Sequence, residues 1–315
     1  MSDRWRSGIA RATLTARARL LADIRAFMAG QGLLEVDTPL LAAAAPSERA
    51  LACMAVGEDG YLVPSPEHAL KRLLAEGAGS LYQLGHVFRA GEFGRWHQPE
   101  FTMLEWYGVN EGMNEAIERL DTLLAGLGAP PVGARRRYRD VFSSLVGLDP
   151  LEADANALRA QARALGVAPV GAAPAGGDRV FWLDLLMATI VQPMLGHQGP
   201  EIVTHFPADD AVLVASDPRD PRCALRFECF WRGVELANGA SELVDARLAR
   251  ERMTREQQAR VAQGGPVPPM DEDVLAAMTA GLPRCAGVAL GVDRLLALLE
   301  NRNSITAVLP FARAD

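Results

Sequence analysis

Two strand-like segments and the loop between them concentrate side chains that could bind a nucleotide. The first segment delivers Arg89, the loop adds His97, and the second segment carries Phe101, Glu105 and Tyr107. These last three share one face, because alternate residues of a strand point the same way. The planar guanidinium group of arginine suits phosphate oxygens, and a phenylalanine ring suits stacking on a flat base. Taken alone, Arg89 would more often be a surface ion-pair former.

A second segment, residues 233–243, sets two carboxylates among small or apolar neighbours. Glu235 and Glu242 are costly in such surroundings unless a positive charge meets them. Magnesium is one such partner, because proteins hold it with one or two carboxylates plus the phosphate of a substrate. A strand end followed by a capped helix start near Ser241 explains the same residues equally well. Spacing alone therefore leaves both interpretations open.

The third segment, residues 287–295, is a glycine-rich strand that turns into a helix. Small residues let a backbone approach a ligand closely. Arg294 falls in the first turn of the helix, where its side chain could reach an anion. By itself, a turn of this kind is a weak signal of function.

The elements that position these segments alternate between helix and strand without a regular βαβ order. The patterns predict, in chain order, a helix at 13–30, a strand at 33–39, a helix from Ser65-Pro66-Glu67 to about 75, strands at 80–89 and 101–107, a helix at 113–127, a strand at 224–236 and a polar helix at 242–262. Hairpin-like strand pairs favour an α+β fold with a mixed or antiparallel sheet. The sequence contains neither a Rossmann-type G-x-G-x-x-G turn nor a P-loop.

Composition and charge restrict the class of protein. Hydrophobic residues make up 49% and charged residues 23%, which is ordinary for a globular protein. A net charge of -7 opposes nonspecific attraction to nucleic acid. Arginines at 135–137 and 139 could still form a local basic surface, although a solvated strand or loop edge is the commoner reason for such a cluster. The four cysteines lack metal or disulfide spacing, and no apolar run could cross a membrane, so we expect a cytoplasmic protein.

Together and in this order, the three segments resemble motifs 2 and 3 of the class II aminoacyl-tRNA synthetases. Residues 33–39 resemble motif 1, which forms the dimer interface in that family. The similarity is closest to the lysyl branch and covers about residues 5–310. It is carried by Ser65-Pro66-Glu67, His97-x-Pro-Glu-Phe-Thr-Met-Leu-Glu-x-Tyr107 and Asn238-Gly239-x-Ser-Glu-Leu243.

This resemblance implies a fold and a domain organisation. We expect a single catalytic domain over residues 1–315, with an antiparallel six-stranded sheet flanked by helices, in a homodimer. A small helical insertion is expected at about 150–200, with a connector at 166–178 that is rich in Ala, Pro and Gly. Because the first helix begins by about residue 13, we expect no anticodon-binding domain before it. The chain is therefore most similar to the stand-alone lysyl paralogues that modify elongation factor P.

The resemblance also implies roles for individual residues. Arg89, Arg294 and Glu235 would be the catalytic group, with the two arginines on the α- and γ-phosphates of ATP. The residues implied for ATP are Arg89, Glu92, His97, Gln98, Phe101, Glu235, Leu236, Gly291 and Arg294. Those implied for the amino acid are Ser65, Glu67, Tyr107, Asn238, Glu242 and Ala289. Magnesium would be held by Glu235 and Glu242.

Two departures from the family pattern lie in motif 2. Ala90 and Gly91 stand where relatives commonly have Asn and Glu, and that glutamate normally helps to position ATP. Glu92, one residue later, could take its place. Gln98 replaces the usual Asn, which is a milder change.

The implied reaction is adenylate formation from ATP, with Mg²⁺, and (R)-β-lysine or lysine, followed by transfer to a lysine side chain of elongation factor P. The sequence does not decide between α- and β-lysine, because a shift of one methylene depends on the detailed shape of the pocket. A small lysyl-tRNA synthetase that charges tRNA is an alternative, although we expect no tRNA partner. A non-catalytic regulatory subunit is a second alternative, but it would be expected to lose the arginines and carboxylates that are present here.

Overall fold

The computed structural model describes residues 5–49, 51–169 and 178–313. The α-helices described are α1 (Arg11–Gly30), α2 (Glu67–Ala75), α3 (Met113–Gly126), α4 (Tyr138–Val146), α5 (Ala155–Ala164), α6 (Arg179–Leu186), α7 (Ala246–Ala262), α8 (Glu272–Gly281) and α9 (Val292–Leu299). A π-helical turn (Met187–Val191) and three 3₁₀ turns (Gln192–Met194, Ala208–Asp210 and Ile305–Ala307) accompany them. The strands are β1 (Leu34–Glu35), β2 (Leu41–Ala42), β3 (Met54–Val56), β4 (Gly60–Leu62), β5 (Leu81–Phe88), β6 (Glu100–Val109), β7 (Ala134–Arg137), β8 (Glu201–Thr204), β9 (Ser216–Asp217), β10 (Asp220–Ala224), β11 (Arg226–Trp231), β12 (Val234–Ser241) and β13 (Cys285–Gly291).

The main sheet has eight strands in the order β1-β5-β6-β13-β12-β11-β8-β7. The six central strands pair antiparallel, whereas β1 pairs parallel with β5 and β7 pairs parallel with β8. The prediction of a six-stranded antiparallel sheet was therefore wrong, because the sheet is mixed and carries a parallel strand at each edge. Both edge strands are short, with two and four residues, and neither shows apolar alternation.

Successive side chains of the central strands point alternately to the two faces of the sheet, one of which packs in the apolar core and the other of which lines a cavity. On β6, Leu104 and Trp106 are fully buried in the largest apolar cluster, together with Val288 and Leu290 of β13. Helices α3 and α9 pack against strands of this region. The intervening residues of β6 face the opposite side, where the candidate site lies. The apolar layer thus fixes which side chains the strands present to the site.

A tight hairpin joins β11 and β12, so the single strand predicted at 224–236 is two strands. The turn consists of Arg232 and Gly233, with φ angles of 53° and 74°. Two consecutive residues with positive φ are typical of the two-residue turn that matches the twist of a hairpin. The turn allows β12 to run back beside β13, with Asn238 opposite Ala289.

The helices between β7 and β8 form a second apolar cluster. Residues from α4, α5 and α6 pack there with Val203 of β8 and Phe230 of β11. Helices α5 and α6 and the short turns that follow lie within the range 150–200, and the expected insertion there stays a prediction. Residues 170–177, most of the predicted connector, lie outside the described residues, and the single-domain organisation stays a prediction. No helix in the described ranges is both long and apolar enough to span a membrane.

Candidate active site

One cavity of about 460 Å³ opens on the sheet face opposite the main core. Strands β6, β12 and β13 form its floor, and residues before α2 and at the start of α9 contribute to its walls. Every residue predicted for the site lines it: Ser65, Glu67, Arg89, Glu92, His97, Gln98, Phe101, Tyr107, Glu235, Leu236, Asn238, Glu242, Ala289, Gly291 and Arg294. The structure therefore brings segments far apart in the sequence into one concave site, the form expected for a small-molecule site.

Arg89 lies at what we call the arginine end of the cavity, which comprises Arg89, Glu92, His97, Glu235 and Arg294. Its Nε donates to the Pro64 carbonyl at 3.4 Å, and its guanidinium group lies 5.2 Å from the centre of the Phe101 ring. The Glu92 carboxylate is 3.7 Å from Nη1, too far for a hydrogen bond. Arg89 is thus positioned by a carbonyl and a ring, without a close ion pair in the described residues.

Arg294 is held in a similar way from the opposite wall. Its Nε donates to the Trp96 carbonyl at 3.1 Å and its Nη1 to the Glu235 carbonyl at 2.9 Å. The Glu235 carboxylate lies 3.8 Å from Nη1. Carbonyl groups orient the guanidinium fork without neutralising its charge, which suits the binding of an anion.

The loop between β5 and β6 adds His97, Gln98 and Glu92 to this end. Burial and the nearby Arg294 charge lower the pKa of His97, so the ring stays neutral at physiological pH. The Gln98 side chain exchanges hydrogen bonds with the backbone of Arg313, at 3.2 and 3.3 Å. Gly91 has a φ of 73°, a conformation that glycine adopts without strain, and Glu92 follows it into the cavity.

The other end of the cavity, which we call the acidic end, is lined by Glu67, Glu105 and Glu242, and we include in it Lys71, which does not line the cavity but bonds two of these carboxylates. Its centre is Lys71, which is fully buried and bonds Glu67 at 2.6 Å and Glu242 at 2.5 Å. Burial alone would lower the pKa of Lys71, but the two carboxylates raise it, so the lysine stays charged. Burial raises the pKa of Glu242 to about 7, although Lys71 opposes this effect. Lys71 was not among the predicted site residues, although its spacing of four from Glu67 in a helix was a usable signal.

Glu105 is the third carboxylate of the acidic end. It accepts hydrogen bonds from the Ser65 hydroxyl at 2.7 Å and the Tyr107 hydroxyl at 2.8 Å. Burial, reinforced by the charge of Glu67, raises the pKa of Glu105 to about 7. The sequence placed Glu105 on the right face of its strand but did not identify it as a binding residue.

A hydrogen-bonded network beside the acidic end fixes Asn238. Arg226 pairs with Glu228, its Nε donates to the Asn238 side-chain oxygen at 3.3 Å, and the Asn238 amide donates to Glu228 at 3.2 Å. Burial raises the pKa of Glu228 to about 8 despite the opposing effect of Arg226. This network orients the amide that the sequence predicted for substrate binding.

Small residues of β13 allow the strands and side chains to approach closely. A Cβ atom on Gly287 would lie 2.3 Å from the Tyr107 ring and 2.7 Å from Glu242, so a side chain there would displace both. Two residues along the strand, Ala289 sits opposite Glu105 on β6 and opposite Asn238 on β12. Its methyl group thus lies between the two strands that carry polar groups of the acidic end.

A buried ion pair fastens the arginine end to the first helix. Asp293, next to Arg294, accepts the Thr102 backbone N–H at 2.7 Å and pairs with Arg17 of α1. Arg17 also donates to the Thr102 hydroxyl at 2.7 Å. The start of α9 is therefore tied to β6 and α1, which fixes the base of the Arg294 side chain.

The predicted metal carboxylates have different neighbours. Glu235 lies beside Arg294, whereas Glu242 is bonded to Lys71. Among the described residues, no group of three or more His, Cys, Asp or Glu side chains could hold a metal by itself. One or two carboxylates are enough for Mg²⁺ when phosphate oxygens complete its shell. The two carboxylates lie at different ends of the cavity and do not form a metal site together in the described residues, so the assignment of Glu235 and Glu242 to Mg²⁺ stays a prediction.

Comparison with known protein sequences identifies the family of this chain. The family model of tRNA synthetases class II (D, K and N) matches residues 3–315. The chain therefore belongs to the class II tRNA synthetase family.

Individual relatives carry a more specific name. The elongation factor P–(R)-β-lysine ligase of Sodalis glossinidius is 41% identical over 317 residues, covering 98% of this chain and 97% of the relative. Proteins of the same name from Photorhabdus laumondii and Erwinia tasmaniensis are each 40% identical, with the same coverage.

Proposed function

We propose that this protein is an ATP-dependent ligase that activates (R)-β-lysine, or lysine, as its adenylate and transfers it to a lysine side chain of elongation factor P. The observation that carries the proposal is the charge division of one cavity, with Arg89 and Arg294 at one end and three carboxylates at the other, two of which are bonded to Lys71. A polyanion fits the first end, and a substrate with two ammonium groups fits the second. The names and near-complete coverage of the relatives support the same reaction.

In the first step, a carboxylate oxygen of the amino acid attacks the α-phosphorus of ATP, and the bond to pyrophosphate breaks. Arg89 would hold the α-phosphate and Arg294 the γ-phosphate, and Phe101 would stack on adenine. Two guanidinium groups held by carbonyls stabilise charge that develops on phosphoryl oxygens without prior rearrangement. Mg²⁺ bound with ATP would offset phosphate charge, with Glu235 and Glu242 as its proposed protein ligands.

In the second step, the neutral amine of the acceptor lysine attacks the acyl carbon, an amide bond forms, and AMP leaves with the bonding electron pair. The acceptor amine gives up a proton in this step. No nucleophile from this chain is required. The neutral acceptor amine differs from the charged substrate ammonium groups, which the acidic end retains.

The proposed assembly is a homodimer that acts in the cytoplasm. Support for the dimer comes from apolar side chains near motif 1, because Leu34, Leu40 and Leu41 are each more than a third exposed. Exposed apolar side chains at neighbouring positions of the chain favour a protein–protein contact when they form one patch. Sedimentation equilibrium tests this part, since a monomer at micromolar concentration would contradict it.

Pyrophosphate exchange into ATP tests the first step, with (R)-β-lysine and L-α-lysine compared at equal concentrations. We expect exchange with a preference for the β isomer, and acylation of elongation factor P when it is added. Exchange with α-lysine together with tRNA charging would instead support a tRNA synthetase. Absence of exchange with either amino acid would contradict the ligase activity.

A further inference from the structure

A short loop between β2 and β3 carries a carboxylate, Glu48, into the wall of the cavity. We call it the Glu48 loop and define it by residues 46–49 and 51. Its backbone is held by one side chain of α7, because Arg260 donates to the carbonyls of Ser47 at 2.9 Å and Leu51 at 2.6 Å, and also to that of Glu48 itself. Four residues earlier on α7, Glu256 accepts the Arg49 backbone N–H at 3.0 Å. The loop is thus fixed on both sides of Glu48.

The Glu48 side chain differs from the carboxylates of the acidic end. Its Oε2 is shielded from solvent and has no hydrogen-bond partner among the described residues. By contrast, Glu67 and Glu242 are bonded to Lys71, and Glu105 accepts two hydroxyl groups. A hydrogen-bond acceptor that is shielded from solvent and has no donor lowers the stability of the fold. In the wall of a ligand cavity, such an acceptor indicates that the ligand supplies the donor.

The charges around Glu48 indicate which ligand would satisfy it. Burial raises the pKa of Glu48, and the nearby charge of Glu67 adds to this effect, whereas His68 and Lys71 oppose it. Glu48 and the three carboxylates of the acidic end line the cavity, whereas the two cations that act on Glu48 already have other partners: Lys71 pairs with Glu67 and Glu242, and His68 pairs with Asp271. A ligand that brings further ammonium groups would relieve this imbalance.

We propose that Glu48 is a further substrate-binding residue, whose Oε2 accepts a hydrogen bond from an ammonium group of the diamino acid. Arg260 is then a positioning residue, which acts by holding the backbone that carries Glu48. This inference rests on the proposed function, because it assigns a contact within the same substrate site.

The test compares Glu48→Gln with Glu58→Gln in the pyrophosphate exchange reaction. Glu58 is an exposed glutamate in the turn between β3 and β4, so its substitution removes the same charge away from the cavity. We expect Glu48→Gln to raise the KM for (R)-β-lysine about tenfold, because the amide oxygen can still accept a hydrogen bond but no longer carries the negative charge that strengthens it. The KM for ATP and the kcat should stay within about twofold, since Glu48 contacts neither phosphate nor the reacting atoms.

Thermal unfolding of the same variants separates binding from folding. Replacing a shielded carboxylate, of which Oε2 has no partner in the described residues, with a neutral amide should leave the Tm of Glu48→Gln equal to or above that of the wild type. An unchanged KM for the amino acid would overturn the proposal, as would equal losses in the KM values for ATP and the amino acid. If the wild-type protein shows no exchange with either lysine isomer, the proposed function itself fails. If the wild type is active and Glu48→Gln has the same KM for the amino acid, only the role of Glu48 fails.

Discussion

The arginine end and the acidic end of the cavity are prepared for charged ligands in opposite ways. Arg89 and Arg294 are oriented by backbone carbonyls and have their nearest carboxylates at 3.7 and 3.8 Å. At the acidic end, the carboxylates are within hydrogen-bond distance of Lys71, Ser65 or Tyr107. One end therefore keeps its positive charge largely unpaired, whereas the other places several negative charges around one internal cation.

This difference reflects how guanidinium and carboxylate groups can be held inside a protein. An arginine with a planar fork can be aimed by carbonyls, which add no opposing charge. Carboxylates packed together in a low-dielectric site repel one another, so part of their charge must be balanced inside the protein before the ligand arrives. Removing a charge from the arginine end should therefore lower the rate of the reaction with ATP, whereas removing the lysine charge from the acidic end should lower the stability of the fold.

The largest effect is expected from Arg89→Ala. The loss of one preorganised cation at the phosphoryl group should lower kcat/KM for ATP about 10³-fold in pyrophosphate exchange, or ~4 kcal/mol of transition-state stabilisation. Binding of lysine to the protein without ATP, measured by calorimetry, should stay within about twofold. Arg250→Ala is the control, because Arg250 forms an exposed pair with Glu272. A loss below tenfold, or an equal loss of lysine binding, would contradict the separation of the two ends.

A smaller effect, on stability, is expected from Lys71→Met. The substitution leaves Glu67 and Glu242 without their buried cation, so the free energy of unfolding should fall by about 3 kcal/mol. Urea unfolding of the substrate-free protein measures this change. Arg247→Met is the matched control, because Arg247 and Glu251 form an exposed pair with the same spacing, and its effect should be under about 0.5 kcal/mol. If Lys71→Met combined with Glu242→Gln is as unstable as Lys71→Met alone, the charge explanation is wrong.

The smallest effect is a pH dependence of the acidic end. Glu105 and Glu242 have pKa values of about 7 in the folded protein, above the usual 4.5, so the folded state binds more protons than the unfolded state between these values. Their contribution to stability is therefore greatest at low pH and is lost as the pH rises through about 7. Ammonium binding has the opposite dependence, because it needs the ionised carboxylates. Affinity for (R)-β-lysine should rise about tenfold from pH 6 to pH 8 for each carboxylate that must ionise.

Calorimetry in buffers of different ionisation enthalpy checks this dependence. Binding at pH 6.5 should release protons in the wild type, and Glu105→Gln should release fewer. An affinity that is flat or falling over this pH range would show that the carboxylates are already ionised in the free protein.

The sequence predicted the members of the site better than the limits of the sheet. Phe101, Glu105 and Tyr107 face the cavity together because two-residue alternation is a local property of a strand. Lys71 and Glu48 could not be recognised in this way, since their roles depend on tertiary burial among carboxylates from other segments. Strand β1 lies within the strand predicted at 33–39, but its parallel position at the edge of the sheet was not predicted, because pairing depends on a distant segment. For β7 the sequence left a solvated strand or a loop edge as alternatives, since a segment that consists largely of arginines lacks the apolar pattern on which strand prediction relies.

The arginines of β7 have a consequence for the molecule outside catalysis. Arg135, Arg136 and Arg137 are exposed along the last strand of the sheet, and Arg136 pairs with Glu201 of the neighbouring strand. The outer edge of such a strand could accept a strand from another molecule and start aggregation. A row of like charges makes the approach of a second copy of this edge unfavourable. We therefore expect the arginines of β7 to oppose the addition of further strands at this edge, during folding and at high protein concentration, even though Arg136 and Arg137 also pair with carboxylates.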